Sequence, residues 1–142
     1  MQLKRDTDYA VRILYYLNMN SYIDNHGKKK GVSLSELAKQ TGTPKLIAER
    51  VCDSLKEKGI IVATGRREAS KRLYYSTAAS LGSSLLDIIE AVEGSCQLFA
   101  VFDKSFAGYK SLEDQIQRIQ KGTEKILSEA TLGSLFETRE KD

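Results

Sequence analysis

The stretch 33–59 limits the possible folds of this chain more than any other segment, because it encodes two short helices joined by a tight turn. Ser33 and Glu36 have capping-box spacing, in which each side chain satisfies a backbone N–H group at a helix start. Gly42 falls where a helix ends in a left-handed conformation. Pro44 suits the first position of a second helix, where the missing N–H group is not needed. This arrangement is a helix-turn-helix, and its second helix commonly enters the DNA major groove.

The second helix, about 44–57, has an apolar side and a polar side. The apolar side recurs at helical spacing and consists of Ile47, Ala48, Val51 and Leu55. Thr43 is suited to cap the helix through its hydroxyl group. We predict that the helix reads DNA through the residues at its start and on its polar side, which are Thr43, Lys45, Glu49 and Arg50.

The segment about 60–76 follows the helix-turn-helix and has a different periodicity. Residues 60–64 and 73–75 favour β-structure, and four of the eight residues between them are positively charged. Two short strands with a basic tip form a wing, so we predict contacts with phosphates or a narrow minor groove by Arg66, Arg67 and Lys71. The alternative is an ordinary hairpin with a solvated tip.

The segment 6–19 is predicted to form the first helix, because an apolar stripe repeats at helical spacing through Ala10, Ile13, Leu14 and Leu17. Lys4 and Arg5 precede it and are placed to reach a phosphate. The polar loop that follows contains Lys28–Lys30, which either contacts the DNA backbone or is solvated. His26, the one histidine of the sequence, lies in this loop without evident partners for a catalytic or metal-binding role.

The C-terminal part is predicted to be helical. A short helix begins at residue 83 or 84 and stops at Gly94, and a long helix spans roughly 111–130. The long helix carries a heptad seam, which favours a helix partner, and we predict dimerisation through Leu112, Ile116, Ile119 and Ile126. Packing of this helix on its own domain is the alternative. Residues 138–142 are predicted to be a frayed, charged tail.

Charge is distributed unevenly along the 142 residues, although the formal net charge is only +3. Residues 1–77 hold 15 Lys or Arg and 8 Asp or Glu, a net charge of +7, whereas residues 78–142 hold 7 and 11, a net charge of −4. A basic part that carries a helix-turn-helix indicates a polyanion-binding module. We therefore predict a DNA-binding domain at 1–78 and a helical dimerisation or sensor region at 79–142.

Other functional classes find no support in the sequence. Because no Gly-rich phosphate loop, paired carboxylate with a base or metal-ligand cluster is evident, we do not expect an enzyme or catalytic residues. No apolar run approaches the ~20 residues that span a membrane, and residues 1–6 lack a signal-peptide core. The two cysteines, Cys52 and Cys96, do not make a disulfide framework. These features predict a cytoplasmic protein.

The order and spacing of several motifs resemble the Rrf2 family of bacterial transcription regulators over nearly the whole chain. The matching segments are MQL at 1–3, DYAVRIL at 8–14, SELA at 35–38, LKEKGII at 55–61, LDIIEAVEG at 86–94 and TLGSL at 131–135. The resemblance implies a dimeric winged-helix repressor or activator, with the long C-terminal helix crossing between subunits. The wing tip departs from the family pattern, which often carries paired glycines.

A second departure concerns iron. Many family members hold an iron–sulfur cluster on three cysteines in the loop after the EAVEG motif, and thiolates are the ligands that such clusters require. Here only Cys96 lies in that loop. The resemblance therefore implies a branch without the cluster, whose members respond to partner proteins, small molecules or thiol oxidation. Cys96 is a candidate redox sensor, and the alternative is an inert, buried thiol.

Together these features predict a mainly α-helical chain with a small β-wing, in which a winged helix-turn-helix domain is joined to a long dimerisation helix. The predicted function is sequence-specific regulation of transcription by a homodimer bound to double-stranded DNA. The alternative is a winged-helix interaction module that regulates through a partner protein. We expect no cofactor, no metal and no membrane association, and a regulatory protein or a small-molecule effector as a further partner.

Overall fold

The computed structural model describes residues 5–24, 26–64, 71–95, 105 and 107–140 of the chain. The helices in these ranges are α1 (Arg5–Asn20), α2 (Leu34–Thr41), α3 (Lys45–Glu57), α4 (Leu85–Glu93), α5 (Tyr109–Glu129) and α6 (Leu132–Glu140). The strands are β1 (Tyr22–Ile23), β2 (Lys29–Lys30), β3 (Val32–Ser33), β4 (Ile61–Ala63) and β5 (Leu73–Ser76). A 3₁₀ helix spans Ala78–Gly82. The predicted mainly α-helical fold with a small antiparallel sheet is confirmed.

One face of α1 forms the centre of the hydrophobic core. The predicted stripe is at most 3% exposed and consists of Ala10, Ile13, Leu14 and Leu17. Burying a leucine or isoleucine side chain contributes about 2 kcal/mol of hydrophobic free energy. Because α2, α3 and α4 all pack against α1, this helix is the scaffold on which the other three are positioned.

Both ends of α2 are capped. The Oγ atom of Ser33 accepts the N–H group of Glu36 at 3.2 Å, which is one of the two hydrogen bonds of the predicted capping box. The Glu36 carboxylate accepts the hydroxyl group of Tyr16 at 2.8 Å, which ties α2 to α1. At the other end Gly42 adopts the predicted left-handed conformation, with φ of +66°. These contacts define where α2 begins and ends.

The turn that leads into α3 differs from the prediction. Thr43 was predicted to cap α3, and this prediction is wrong, because the N-cap position belongs to Pro44. The Thr43 hydroxyl group instead forms a 2.8 Å hydrogen bond with the Thr41 hydroxyl group. The Thr43 N–H group donates to the carbonyl of Ala38 at 3.0 Å. Thr43 therefore stabilises the turn itself and leaves the start of α3 without a side-chain cap.

The wing is a three-stranded antiparallel sheet with strand order β3-β5-β4. Val62 of β4 lies opposite Tyr75 of β5, which confirms the two predicted strands. The third strand, β3, was not predicted, because two residues are too few to show an alternating pattern. Val32 of β3 lies opposite Tyr74 of β5. Since β3 leads directly into α2, the sheet is attached to the start of the helix-turn-helix.

The residues after α1 form a β-hairpin where a polar loop was predicted. Tyr22 of β1 lies opposite Lys30 of β2. Near the tip, the Asp24 Oδ1 atom accepts the N–H groups of His26 at 2.9 Å and Lys28 at 2.8 Å. An Asp side chain that bonds the backbone in this way stabilises a turn. The lysine run 28–30 is exposed.

The predicted short helix in the C-terminal part is confirmed as α4. It begins with a complete capping box, in which Ser84 and Asp87 exchange two hydrogen bonds of 3.0 Å. It ends at Gly94, which has a φ of +85°. The long helix is confirmed as α5, which starts two residues earlier than predicted. Within the described ranges, no helix combines the length and the apolar character that a membrane crossing requires.

The last helix, α6, was not predicted, and the expected frayed tail from residue 138 is wrong as far as residue 140. Leu132 and Phe136 of α6 belong to the same core as α1. The rings of Phe136 and Tyr15 meet edge to face, with centroids 5.1 Å apart. Ile88 of α4 is also fully buried there. The core therefore extends across the boundary predicted at residue 78.

A substitution at Gly31 tests the close packing between the hairpin and the wing sheet. A Cβ atom at this position would lie 2.7 Å from the Leu73 Cβ atom and from the Tyr75 ring. We expect Gly31→Ala to lower the free energy of unfolding by about 1–3 kcal/mol, because the strands must move apart. The control is Gly82→Ala, whose Cβ meets no heavy atom within 4 Å. Equal thermal denaturation midpoints for the two variants would contradict this packing.

Candidate nucleic-acid interface

The rotation of α3 about its axis is determined by its buried inner face. This face is at most 1% exposed and consists of Ala48, Val51, Cys52 and Leu55. At 100° per residue, the side chains that lie opposite these positions are Leu46, Glu49, Arg50 and Asp53. The hydrophobic core thus decides which side chains α3 presents to solvent.

Two ion pairs connect this outer face to neighbouring elements. The Arg50 Nη2 atom lies 2.7 and 2.9 Å from the two carboxylate oxygens of Asp6, in the first turn of α1. Arg72 directly precedes β5, and its Nη1 atom lies 3.5 Å from the Oδ1 atom of Asp53. Exposed ion pairs contribute at most about 1 kcal/mol, so these two orient side chains rather than hold the fold together. The Arg50 side chain remains 61% exposed.

The first turn of α1, which carries Asp6, is held from the end of α4. The Oε1 atom of Glu93 accepts both the N–H group and the hydroxyl group of Thr7, each at 3.2 Å. Thr7 is only 1% exposed. A carboxylate at a helix N-terminus satisfies a free N–H group and interacts favourably with the helix dipole. Glu93, in the C-terminal part of the chain, therefore anchors the first turn of α1, and Asp6 in that turn binds Arg50.

The residues predicted to contact DNA from α3 differ in their exposure. Lys45 is exposed at the first position of the helix, and Glu49 is half-buried. Thr43 is 5% exposed, and its hydroxyl group is engaged by Thr41. The structure thus brings Lys45, Glu49 and Arg50 to the open part of α3, whereas Thr43 lies in the turn beneath them.

Leu46 was not predicted to contact DNA, although its side chain is 81% exposed on α3. The signal was present in the sequence, because Leu46 is an apolar residue outside the apolar face of its helix. A large exposed apolar side chain on such a helix is suited to contact the methyl group of thymine.

The remaining predicted site residues fall into two groups. Arg5 is exposed at the start of α1, and Lys71 is exposed two residues before β5. The other predictions lie outside the described residues and concern Lys4, Arg66, Arg67 and Cys96.

The predicted dimerisation residues form a largely exposed stripe on α5. Leu112, Ile119 and Ile126 are 44, 53 and 69% exposed, and they recur every seven residues. Ile116 lies beside them and is half-buried. On another side of the helix, Leu127 is 9% exposed. The stripe therefore places large apolar side chains in contact with water along one side of α5.

Cys52 lies on the buried inner face of α3. Burial away from water raises the pKa of its thiol to about 12, and the nearby Asp53 carboxylate acts in the same direction. Because the thiolate is the nucleophile and the metal ligand, we expect the Cys52 thiol to be unreactive at neutral pH. Among the residues that the structure describes, no group of three His, Cys, Asp or Glu side chains is arranged to hold a metal ion.

Comparison with known protein families identifies the class to which this arrangement belongs. The sequence model of the Rrf2 family, described as an iron-dependent transcriptional regulator, matches residues 3–138. The chain therefore belongs to the Rrf2 family, and it is a DNA-binding transcriptional regulator of the bacterial type. Among curated proteins, none matches the chain at a significant level.

Solved structures share the fold over almost the whole chain. The oxidized form of CymR from Staphylococcus aureus has a TM-score of 0.67 and 20% identity, covering 95% of each chain. CymR, the global cysteine regulator of B. subtilis, has a TM-score of 0.66 and 19% identity, also covering 95% of each chain. IscR from T. potens has a TM-score of 0.60 and 15% identity, covering 98% of this chain and 88% of that chain. These similarities confirm the predicted fold.

The burial of Cys52 leads to a prediction about thiol reactivity. In a Cys96→Ser variant, which keeps only this thiol, the folded protein at pH 8 should not react with an aromatic disulfide reagent. At about pH 9 the folded protein should still react far more slowly than a free thiol, because a thiol with a pKa of about 12 remains almost fully protonated. Denaturation should release one reactive thiol. Rapid stoichiometric reaction of the folded variant would contradict the assigned burial.

Proposed function

We propose that this protein regulates transcription as a homodimer that reads a specific DNA sequence, with α3 in the major groove and the wing on flanking DNA. The observation that supports the proposal best is the orientation of α3. Its inner face is buried in the core, while Lys45, Leu46 and Arg50 are exposed. The major groove admits an α-helix, and a helix held in a fixed rotation offers the same side chains to every site it meets.

The outer face of α3 offers several kinds of contact. Leu46 is suited to the thymine methyl group, and the Glu49 carboxylate is suited to the amino group of cytosine. Arg50 keeps N–H donors beyond those that bind Asp6, and these can address guanine or a phosphate. Lys45 supplies a positive charge at the helix start. Since contacts to base edges carry sequence information directly and phosphate contacts do not, Leu46, Glu49 and Arg50 are the proposed specificity residues.

The wing supplies the proposed contacts with flanking DNA. Its sheet is joined to the helix-turn-helix because β3 leads directly into α2 and β4 packs against α3, so the wing and α3 lie side by side. Contacts from Arg66, Arg67 and Lys71 then address phosphates or the minor groove. Lys4 and Arg5, which lie in the sequence where α1 begins, are also proposed to bind the DNA backbone.

We propose that two copies associate through the α5 stripe of Leu112, Ile116, Ile119 and Ile126. The exposure of Leu112, Ile119 and Ile126, between 44 and 69%, supports this proposal because such a row of apolar side chains is costly to leave in water. The seven-residue spacing suits a helix partner. A dimer also gives the protein two copies of α3, which can occupy two half-sites about one helical turn apart.

The residues of this chain do not fit the three-cysteine cluster site described above for many members of the family. The sequence contains two cysteines, and Cys52 is buried on α3 with a strongly raised pKa. One thiol, Cys96, is left for a site that needs several thiolates. We propose that the protein acts without an iron–sulfur cluster and responds to a small molecule, a partner protein or oxidation of Cys96.

We further propose that the protein acts in the bacterial cytoplasm as a non-enzymatic regulator, since its DNA target lies there. The alternative function, docking to a partner protein without binding DNA, makes a different prediction. DNA binding through phosphates weakens steeply with salt. Salt-dependent binding of the purified protein to duplex DNA therefore supports the proposal, and its absence at low salt, with a positive control, favours the docking module.

Arg50→Ala tests the contact with base edges. On a site selected from random duplex DNA, the variant should bind about 10- to 100-fold more weakly, because a bidentate contact to a base contributes about 1–3 kcal/mol. On unselected DNA the loss should be much smaller. Lys121→Ala, which removes one exposed positive charge from α5, is the matched control. Equal losses on both DNAs would assign Arg50 to the phosphate backbone instead.

Ile119→Glu tests dimerisation through α5. We expect the variant to sediment as a monomer and to lose high-affinity binding to the selected site, because a charge cannot be buried in an apolar seam without a partner. Met19→Glu is the control, since Met19 and Ile119 are both 53% exposed but Met19 lies at the end of α1. A dimeric Ile119→Glu variant would show that the copies associate elsewhere.

The proposed absence of an iron–sulfur cluster is tested by spectroscopy and metal analysis. Protein purified without oxygen should show no visible absorbance from a cluster and no stoichiometric iron, because the chain lacks the thiolates. A thiol-ligated cluster protein prepared in parallel is the control. Brown protein with stoichiometric iron and sulfide would contradict the proposal.

A further inference from the structure

A cleft of about 610 Å³ lies between α1, the end of α2, the start of α4 and α6. Its volume falls within the range of small-molecule sites. Among the residues that the structure describes, none that is assigned above to DNA contact or dimerisation lines it. The cleft is also where α6 returns to the helix-turn-helix, so its walls come from both parts of the chain.

One wall of the cleft is apolar. It is formed by Val11 and Tyr15 of α1, Leu85 of α4, and Leu135 and Phe136 of α6. The Tyr15 and Phe136 rings meet at an interplanar angle of 76°. Leu135 is 38% exposed. This wall is suited to an aromatic or branched apolar group. Such a group would cover the exposed Leu135 and the half-buried Val11, Tyr15 and Leu85, whereas Phe136 is already buried.

The polar side of the cleft carries one positive and one negative charge. The Arg12 guanidinium binds the Asp8 carboxylate through two hydrogen bonds of 3.1 and 2.8 Å. Its Nη1 atom also donates to the carbonyl of Thr41 at 3.4 Å. The side chains of Arg12 and Asp8 are 49 and 46% exposed. A guanidinium has five N–H donors and a carboxylate about four acceptor positions, so both groups have unused capacity that faces solvent.

We propose that this cleft binds a small zwitterion with an apolar side chain, of the amino-acid or dipeptide class, as the effector of the regulator. The ligand carboxylate would bind Arg12, its ammonium group would bind Asp8, and its side chain would lie against Tyr15 and Phe136. A singly charged ligand fits less well, because the Asp8 carboxylate would repel an anion and the Arg12 guanidinium would repel a cation. The effector role rests on the function proposed above.

The position of Arg12 connects the cleft to the DNA-binding helix. Thr41 is the last residue of α2, and the carbonyl group that Arg12 contacts lies at the turn before α3. A Cβ atom built on Gly42 would come within 3.9 Å of the Arg12 Nη1 atom. A ligand that draws the guanidinium toward itself therefore acts on the turn that sets the direction of α3. Occupancy of the cleft should change the affinity for DNA.

The test uses the full chain and three probes, L-phenylalanine, L-leucine and the dipeptide leucyl-phenylalanine. The singly charged comparisons are 3-phenylpropionate and phenethylamine. At least one zwitterion should raise the thermal unfolding midpoint in a concentration-dependent way, because a ligand that binds only the native state stabilises it. Calorimetry should give a dissociation constant at least tenfold smaller for that zwitterion than for either comparison compound.

Variants locate the site. Arg12→Gln and Asp8→Asn should each weaken binding of the zwitterion at least tenfold, and Leu135→Ala should weaken it independently of the charges. Leu135→Ala keeps the test valid if a charge variant folds poorly. Lys121→Gln, on the exposed surface of α5, is the control and should bind normally. Binding that survives both charge variants would overturn the assignment to this cleft.

DNA binding is measured in parallel, with and without the zwitterion, on a site selected from random duplexes. A change of at least threefold in the dissociation constant of the DNA complex supports the effector role. No response to any zwitterion at about 10 mM, far above a millimolar dissociation constant, would overturn the inference while normal DNA binding leaves the proposed function intact. Loss of DNA binding under all conditions would instead count against the proposed function.

Discussion

The packing of α3 against α1 is the contact on which the rest of the structure depends. Four side chains of α3, from Ala48 to Leu55, are removed from water, and this burial sets both the tilt and the rotation of the helix. A rotation of one residue, or 100°, would expose part of that apolar face and bury the charged residue Arg50. The hydrophobic effect therefore determines which side chains α3 presents to solvent.

Weak polar contacts orient individual side chains on the helices that the hydrophobic core has positioned. Arg50 is held by Asp6, Asp53 is held by Arg72, and the turn that carries Asp6 is anchored by Glu93. Exposed ion pairs contribute little to stability, but they reduce the number of conformations that a long side chain must give up on binding. The Asp6 carboxylate engages only the Nη2 atom of Arg50, so other N–H donors of the guanidinium remain for a base or a phosphate.

Features with local signals were predicted well from the sequence. The α1 stripe, the left-handed Gly42 and the α4 limits depend on neighbouring residues, and all were confirmed. The strands β1, β2 and β3 were missed, because two-residue strands have no readable period. α6 was missed because its anchors, Leu132 and Phe136, are buried only by contact with distant parts of the chain.

The candidate site was predictable only in outline, for the same reason. Lys45 and Arg50 are visible in the sequence as charged residues off the apolar face. The Arg50–Asp6 and Glu93–Thr7 contacts join residues 44 and 86 positions apart, and no sequence pattern reports them. Thr43 is a residue type that commonly caps helices, but its hydroxyl group is hydrogen-bonded to the hydroxyl group of Thr41. At these positions tertiary packing, rather than local sequence preference, determines which groups each side chain contacts.

The central claim is that a dimer presents two copies of α3 to a specific DNA sequence. Its most direct test is selection of bound sequences from a random duplex library by the purified protein, followed by footprinting of the enriched site. The account predicts an inverted repeat whose half-site centres lie about 10 base pairs, or a multiple of this, apart, with protection of both halves. Enrichment of no sequence, or of a single asymmetric site bound by one copy, would contradict it.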